Sequence, residues 1–124
     1  MLHTFADCAP ITQVLTPILP CNDVPASSAF YQTLGFTVYG DYGDFVILSH
    51  PSGAALHLQK AVEGWLIPGR NPFGLYLYVE NVDEIAAIVG VAAEDKAWGM
   101  YEAAFSDPDE TLIRVGWPTS KRQV

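Results

Sequence analysis

Residues 98–117, WGMYEAAFSDPDETLIRVGW, are the stretch of this chain that decides its fold. Met100–Phe105 and Thr111–Trp117 are two short runs of apolar, aromatic and β-branched residues, a composition typical of β-strands. Asp107-Pro108-Asp109 lies between them, and proline at this place favours a type I turn. The stretch therefore predicts a β-hairpin, with Trp98 in the loop that precedes it.

The rest of the chain adds further strands and two helices. Asp23 can cap a first helix that has Pro25 in its first turn and is stopped by Gly35. Asn81 can cap a second helix that ends at Gly90. Short apolar runs bounded by Gly, Asp, Ser and Pro predict five more strands, at Val14–Leu19, Gly35–Tyr39, Phe45–Ser49, Ala54–Gln59 and Leu75–Val79.

Composition and charge restrict the class of protein. The 124 residues, half of them hydrophobic, suffice for one domain with a core, which we expect to span 1–124. The formal charge of −8 disfavours nucleic-acid binding, because neutralising phosphates needs clustered Lys and Arg. No Lys or Arg precedes Lys60, so the first half offers a favourable field to a cationic ligand.

The cysteines and the N-terminal residues bear on the compartment. Cys8 and Cys21 do not have the spacing of a metal site, and Met1-Leu2-His3-Thr4 does not have the basic start of a secretory signal. No run approaches the roughly 20 apolar residues that a membrane span requires. We therefore expect a cytoplasmic protein with two free thiols and no membrane partner.

The two halves of the chain repeat one pattern. Leu19 and Phe30 correspond to Leu77 and Ile88 at an offset of 58 residues, and Leu56-His57-Leu58 corresponds to Ile113-Arg114-Val115 at an offset of 57. This ordered self-similarity predicts two βαβββ modules, 13–60 and 73–117, the second with a shortened helix region.

Alternation along four of the predicted strands separates two faces. One face is large and aliphatic, so it is predicted to pack on the helices. The other mixes aromatic, apolar and hydrogen-bonding groups, which a small-molecule cavity needs, although a second core or a dimer face is the alternative. The aliphatic set is Leu19, Leu56, Leu58, Leu75, Leu77, Val79, Ile113 and Val115; the mixed set is Thr16, Ile18, Pro20, His57, Gln59, Tyr76, Tyr78, Leu112 and Arg114.

Several short motifs follow one another along the chain: Pro17-Ile18-Leu19-Pro20, Asp23-Val24, Phe30-Tyr31, Leu34-Gly35-Phe36, Val79-Glu80-Asn81-Val82-Asp83-Glu84, Trp98-Gly99-Met100 and Asp107-Pro108-Asp109. In this order they resemble the glyoxalase / bleomycin resistance / dioxygenase superfamily, also called the vicinal oxygen chelate superfamily. The resemblance implies an α+β fold, in which two βαβββ modules form a curved mixed sheet around a central cavity, and it implies a homodimer. Members include metal-dependent enzymes and metal-free antibiotic-binding proteins.

The resemblance places the metal ligands of the enzymes at Thr16, His57, Gly74 and Arg114. A zinc or iron site needs three or more ligands from His, Glu, Asp or Cys. Here His57 alone qualifies, and Arg114 is a permanent cation that would repel a metal ion. We therefore expect no metal or other cofactor, and we favour binding over catalysis. His57 is then either a hydrogen-bonding group of the pocket or a satisfied interior histidine.

Without the metal, the motifs resemble those of the bleomycin resistance proteins, which sequester a cationic, flat-ringed drug without chemistry. This resemblance implies Trp98 and Phe45 as stacking residues, and Asp41 and Asp44 as the source of negative charge in a loop. Aromatic faces attract flat rings and cations by about 0.5–2 kcal/mol per contact. The alternatives are that Phe45 belongs to the strand core, that Trp98 is a hydrophobic lid over the sheet edge, and that Asp41 and Asp44 are ordinary turn acids. The complete ligand-binding set that we predict is Trp98, Phe45, Tyr76, Tyr78, His57, Arg114, Asp41, Asp44 and Trp65.

Three segments depart from the family pattern. The short segment 90–98 predicts a missing or rudimentary strand. Glu110 stands where glycine is usual, which predicts a left-handed residue there. The apolar loop Glu63–Arg70, with Trp65, is either a lid over the ligand or a contact between protomers.

The function expected from these observations is metal-free binding of an aromatic, cationic compound, with antibiotic resistance as its consequence. One alternative is a superfamily enzyme of lyase, isomerase or dioxygenase type, which acts on a small anionic substrate either with a metal or through His57, Tyr76 and Arg114. Arg114 supports an anionic substrate unless Glu102 or another acid neutralises it. A regulatory subunit with a filled cavity is the third hypothesis.

Overall fold

The computed structural model describes residues 14–122. Within these residues the chain forms eight strands and two α-helices, followed by a short 3-10 helix at Thr119–Lys121. In chain order the elements are β1 (Ile18–Cys21), α1 (Val24–Thr33), β2 (Thr37–Asp41), β3 (Phe45–Ser49), β4 (Ala55–Lys60), β5 (Gly74–Tyr78), α2 (Val82–Val89), β6 (Glu94–Asp95), β7 (Met100–Ser106) and β8 (Leu112–Pro118).

Each half of the chain forms its own four-stranded mixed sheet. The strand orders are β1-β4-β3-β2 and β5-β8-β7-β6. In both sheets the first strand pairs in parallel with the last strand of its half, and the remaining pairs are antiparallel. The predicted α+β fold with two βαβββ units is therefore confirmed.

The helix signals are confirmed in three of four cases. Asp23 Oδ1 accepts a hydrogen bond from the backbone N–H of Ala26 at 3.0 Å, so Asp23 caps α1. Gly35, at φ 103°, and Gly90, at φ 78°, follow α1 and α2 in the left-handed region that favours glycine. The cap predicted at Asn81 is wrong, because its side chain makes no cap bond and its amide lies 3.5 Å from Glu84 instead.

The strand predictions differ from the structure chiefly in the first half. β1 begins at Ile18 rather than Val14, since its pairing with β4 runs from Ile18 opposite His57 to Cys21 opposite Lys60. β2 begins and ends two residues later than predicted, and its register against β3 shifts between Val38 and Gly40. This irregularity bends the edge strand away from the ideal ladder.

The aliphatic face predicted from the alternation is confirmed as the core. Seven of its eight members are buried, and Leu75 is partly buried against the same cluster. Both helices contribute to this core, for example through Tyr31 of α1 and Ile85 of α2. The opposite face of each sheet therefore points away from its helix.

The turn between β7 and β8 joins the two halves. Tyr31, which is 1% exposed, donates from its Oη to Asp107 Oδ2 at 2.6 Å. Asp107 Oδ1 accepts the backbone N–H groups of Asp109 and Thr111, at 2.8 and 2.9 Å. Burial, followed by the Asp107 carboxylate, raises the pKa of Tyr31 far above its usual range. One buried carboxylate thus holds the turn together and ties it to α1.

The segment between the modules rests on this same turn. In the loop Glu63–Arg70, Leu66 is buried, while Trp65 and Ile67 are exposed. The carbonyl oxygen of Leu66 accepts from Asn22 Nδ2 at 3.3 Å, and the backbone N–H of Gly69 donates to the Glu110 carboxylate. The loop therefore bridges both halves.

Two further expectations concern single features of the second half. Glu110 has φ 68°, which confirms the predicted left-handed residue. The predicted rudimentary strand is confirmed as β6, which has two residues.

Cys21 is a buried free thiol, and burial raises its pKa to about 11; Cys8 lies outside the described residues. Among residues 14–122, no helix combines the length and apolar character needed to cross a bilayer.

Candidate functional site

One face of the second sheet gathers four of the nine predicted ligand-binding side chains. Side chains alternate along a strand, so the face opposite the buried aliphatic residues collects every second residue of β5, β7 and β8. Tyr78 is 57% exposed and Trp98, from the loop before β7, is 60% exposed. We call this face the second open face; its members are Tyr76, Tyr78, Glu102, Leu112 and Arg114, with Trp98 beside them.

Glu102 lies at the centre of the second open face, and three side chains donate to it. Its Oε1 accepts from Tyr76 Oη at 2.9 Å and from Trp98 Nε1 at 3.0 Å. Its Oε2 lies 3.5 Å from Arg114 Nη1. Glu102 is only 2% exposed, and these donors satisfy the buried carboxylate. We refer to Tyr76, Trp98, Glu102 and Arg114 as the Glu102 cluster.

Gly116 makes room for the Glu102 cluster. β8 lies between β5 and β7, so Tyr76 of β5 must cross β8 to reach Glu102. It crosses at Gly116, where an added Cβ would lie 2.0 Å from Tyr76 Oη and 3.1 Å from Glu102 Cβ. The glycine is needed for this close approach and not for a special backbone angle.

The electrostatics of the cluster separate a buried anion from a solvent-facing cation. The side chain of Arg114 is 43% exposed, while that of Glu102 is 1% exposed. The expectation that Glu102 could neutralise Arg114 is confirmed. Desolvation, followed by the hydrogen bond to Glu102, raises the pKa of Tyr76, so its phenol is a donor at neutral pH.

The corresponding face of the first sheet has a different chemistry. Phe45 and His57 meet edge to face, with ring centroids 5.3 Å apart and planes at 69°. Ile18, which pairs with His57 across the parallel strands, is 59% exposed. We call Ile18, Phe45 and His57 the first open face. These three residues are apolar or aromatic, and none of them is an acid.

The predicted acidic loop lies next to Phe45, between β2 and β3. Asp41 Oδ1 accepts the backbone N–H of Gly43 at 2.9 Å, so this carboxylate supports the turn, as one of the alternatives held. Asp44 is exposed, and Tyr42 is 72% exposed. Both carboxylates remain in contact with solvent at the edge of the first sheet.

The nine predicted residues thus fall into separate groups. Tyr76, Trp98 and Arg114 meet at Glu102, and the ring of Tyr78 packs against Tyr76 with centroids 4.7 Å apart. Of the other five, Phe45 and His57 lie on the first open face, Asp41 is the last residue of β2, and Asp44 and Trp65 lie in loops.

Glu102 and Gly116 are the residues of this site that the sequence analysis did not select. Glu102 was considered only as a partner that could neutralise Arg114. A signal was available, because Glu102 is a lone acid in the strand MYEAAF. Gly116 is likewise a lone glycine in the strand LIRVGW. A residue that breaks a strand pattern in this way indicates a special contact.

The residues at the expected metal positions do not fit a divalent ion. Among residues 14–122, no three side chains of His, Cys, Asp or Glu come together as ligands. Arg114 forms an ion pair with the buried carboxylate of Glu102. The arrangement is therefore suited to hydrogen bonding and stacking.

A broad groove of the described structure lies elsewhere. It has a volume of about 610 Å³ and runs from the end of α1 to α2, past His50, Tyr78 and Trp117. Of the nine predicted residues, Tyr78 is the one that borders it. We place the candidate site on the two open faces, because six of the nine predicted residues lie on or beside them.

Comparison with known proteins gives matches to bleomycin resistance proteins. Residues 13–51 match a family model described as Bleomycin resistance protein-like N-terminal. The chain is 29% identical over 119 residues to the bleomycin resistance protein of Klebsiella pneumoniae. The alignment covers 85% of this chain and 92% of that protein.

Solved structures give the same result at the level of the fold. The crystal structure of a bleomycin-binding protein complexed with bleomycin superimposes with a TM-score of 0.73 at 27% identity, covering 86% of this chain and 98% of the other. Lactoylglutathione lyase from Agrobacterium tumefaciens superimposes with a TM-score of 0.67 at 19% identity, covering 91% and 98%, and this shows the fold alone. The resemblance drawn from the sequence is thus confirmed: this chain is similar to bleomycin resistance proteins, and its fold matches solved structures of the glyoxalase/bleomycin resistance superfamily.

Proposed function

We propose that this protein binds and sequesters an aromatic, cationic small molecule of the bleomycin class, without covalent chemistry. The observation that carries the proposal is the state of Trp98. Its indole N–H is fixed on a buried carboxylate, while 60% of the residue remains exposed. A tryptophan held in this way is a preorganised surface for a flat ring.

The neighbours of Trp98 support the same conclusion. Tyr76 and Tyr78 belong to the same face, so aromatic surface is available beside the indole. Exposed aromatic residues gathered on one face usually mark a binding surface. The homologue whose crystal structure contains bleomycin supports a ligand of this class.

The charge of the site is compatible with a cation. The Arg114 charge is offset by Glu102, so the second open face does not present an unpaired positive group. The chain as a whole carries −8, and Asp41 and Asp44 are exposed beside the first open face. We propose that these two acids attract the cationic ligand.

We further propose a homodimer in which the ligand is enclosed between open faces. Within one chain Ile18 and Leu112 are 59% and 40% exposed, and Trp65 and Ile67 of the loop are 56% and 47% exposed. Covering such apolar groups is favourable by about 25 cal/mol per Å². Sedimentation equilibrium should give twice the monomer mass of 13.5 kDa; a monomer at micromolar concentration would contradict this part of the proposal.

The enzyme alternative has less support in the geometry. Tyr76 and Arg114 are both engaged by Glu102, while His57 lies on the other sheet. The raised pKa of Tyr76 leaves no phenolate to act as a base near neutral pH. We therefore favour binding.

The direct test is isothermal titration calorimetry with bleomycin, using wild type, Trp98→Ala and Trp65→Phe. We expect saturable binding by the wild type and a loss of about tenfold in affinity for Trp98→Ala, because one stacking contact is removed. Trp65→Phe changes the other exposed tryptophan but keeps an aromatic ring there, so we expect it to bind bleomycin more tightly than Trp98→Ala. Wild-type affinity in Trp98→Ala would overturn the role of Trp98, and no binding by a folded wild type would overturn the proposed ligand class.

A salt titration tests the role of the acidic loop. Raising the ionic strength should weaken bleomycin binding by the wild type, because exposed charges are screened. The double variant Asp41→Asn with Asp44→Asn should bind more weakly at low salt and respond less to added salt. Asn at position 41 can still accept from the Gly43 N–H, so the turn is preserved. Equal salt dependence in both proteins would count against steering by these acids.

A further inference from the structure

We infer that Glu102 sets the ligand charge that the second open face accepts, because it neutralises Arg114 while it orients Trp98. This inference rests on the proposed function and deepens it, since it names the residue that determines specificity within the same site. Glu102 is buried and acts through its neighbours, so it is a positioning residue.

The two oxygens of Glu102 have different tasks. Oε1 accepts from Tyr76 and Trp98, two neutral donors, and thereby fixes the aromatic surface. Oε2 faces the Arg114 guanidinium at 3.5 Å and thereby fixes the charge of the face. The orientation of Tyr76 and Trp98 and the neutralisation of Arg114 therefore depend on one carboxylate. A substitution that removes its charge but keeps its shape can separate the two roles.

A ligand on this face would meet Arg114 and Trp98 directly, because both are exposed while Glu102 is covered. With Glu102 ionised, the cluster is neutral, and a cationic aromatic ligand meets no net repulsion. Without the carboxylate charge, the same surface would carry the uncompensated charge of Arg114. Such a face would attract anionic aromatic ligands and repel cationic ones.

The substitution Glu102→Gln isolates the charge. Glutamine has nearly the same shape, and its side-chain oxygen can still accept from Tyr76 and Trp98. We would measure the dissociation constants of a cationic dye, thioflavin T, and an anionic dye, 8-anilinonaphthalene-1-sulfonate, by fluorescence. Glu102→Gln should change the ratio of the two constants by about tenfold in favour of the anionic dye, as one added unit charge near the ligand predicts at an effective dielectric constant of roughly 20.

Two further variants make the test specific. Glu94→Gln removes the same charge from the residue that pairs with Glu102 across β6 and β7; Glu94 is exposed and contacts Lys96. It should leave the ratio within about twofold. The double variant Glu102→Gln with Arg114→Gln makes the cluster neutral again and should restore the ratio towards that of the wild type.

The outcomes distinguish this inference from the proposed function. Equal weakening of both dyes in Glu102→Gln would mean a merely structural role and would overturn the inference, even if the wild type binds bleomycin. If Glu102→Gln fails to fold, Arg114→Gln alone must shift the ratio towards the cationic dye, and an unchanged ratio there overturns the inference. A wild type that binds neither dye also overturns it, while bleomycin binding separately decides the proposed function.

Discussion

The two sheets share one register but carry different groups at equivalent positions. In the first sheet Ile18 pairs with His57, and Phe45 pairs with Gln59. In the second sheet the same positions hold Tyr76 with Arg114, and Glu102 with Gly116. An edge contact of Phe45 with His57 thus corresponds to an ion pair of Glu102 with Arg114.

This comparison shows which part of a repeated module is constrained. The face that packs on the helix is aliphatic in both sheets, because both must bury it. The open face has no such requirement and can hold either an apolar or a polar cluster. Function can therefore diverge between the two halves while backbone pairing is retained.

The turns that follow β3 and β7 extend the comparison. His50 and Asp107 occupy equivalent places, and each accepts the backbone N–H of the residue two positions later. Each also reaches the first helix region: the His50 ring lies 3.1 Å from the Leu34 carbonyl oxygen, and Asp107 accepts from Tyr31. Asp107 is buried, whereas His50 is half-buried.

The largest expected effect comes from a substitution that disrupts the second of these two turns. Asp107→Ala should lower the free energy of unfolding by about 3 kcal/mol, because it removes three hydrogen bonds and leaves the buried Tyr31 hydroxyl without its acceptor. His50→Ala, the matched change in the first turn, should cost about 1 kcal/mol. Urea unfolding followed by circular dichroism measures both. Equal losses would show that the two turns contribute alike.

A smaller effect is expected where the two sheets differ in shape. Gly116→Ala should lower the free energy of unfolding by about 2 kcal/mol, because its methyl group would overlap Tyr76 Oη. It should also weaken ligand binding, since Tyr76 must leave Glu102. Gln59→Ala, at the equivalent and exposed position of the first sheet, should stay within about 0.5 kcal/mol of wild type. A tolerated Gly116→Ala would mean that Tyr76 can reach Glu102 by another path.

The smallest effect concerns pH. The pKa values of Tyr31 and Tyr76 are both raised in the folded protein, chiefly by desolvation. Their contribution to stability is therefore fully present below the ordinary tyrosine pKa of about 10 and is lost as the pH rises through the raised values. Tyr31→Phe and Tyr76→Phe should each reduce the decline in stability above about pH 10, by less than about 1 kcal/mol for the half-exposed Tyr76. Thermal unfolding between about pH 9 and 11 tests this, and identical slopes in wild type and variants would contradict it.

The sequence was sufficient for the features that depend on neighbours along the chain. Alternation assigned Leu56 to the core and Arg114 to the open face, and glycine marked the ends of both helices. The Asn81 cap failed because its amide lies towards Glu84 instead of capping the backbone.

The candidate site was only partly predictable because it depends on strand order. Glu102 receives donors from β5, from the loop before β7 and from β8, and alternation within one strand says nothing about which strands are adjacent. Gly116 acquires its meaning only when β8 is known to lie between β5 and β7. Residues that serve contacts across a sheet therefore need the topology before they can be recognised.

The bond between Tyr31 and Asp107 has a consequence for the order of events during synthesis. Its partners are 76 residues apart, so the ribosome must add most of the chain before the first helix can complete its buried contacts. Until then the Tyr31 hydroxyl does not have the Asp107 carboxylate as its acceptor. The first half of the nascent chain therefore stays incompletely packed. Distant contacts of this kind slow folding and prolong the exposure of apolar surface to chaperones. The contact between the turn and the first helix can therefore form only late in synthesis.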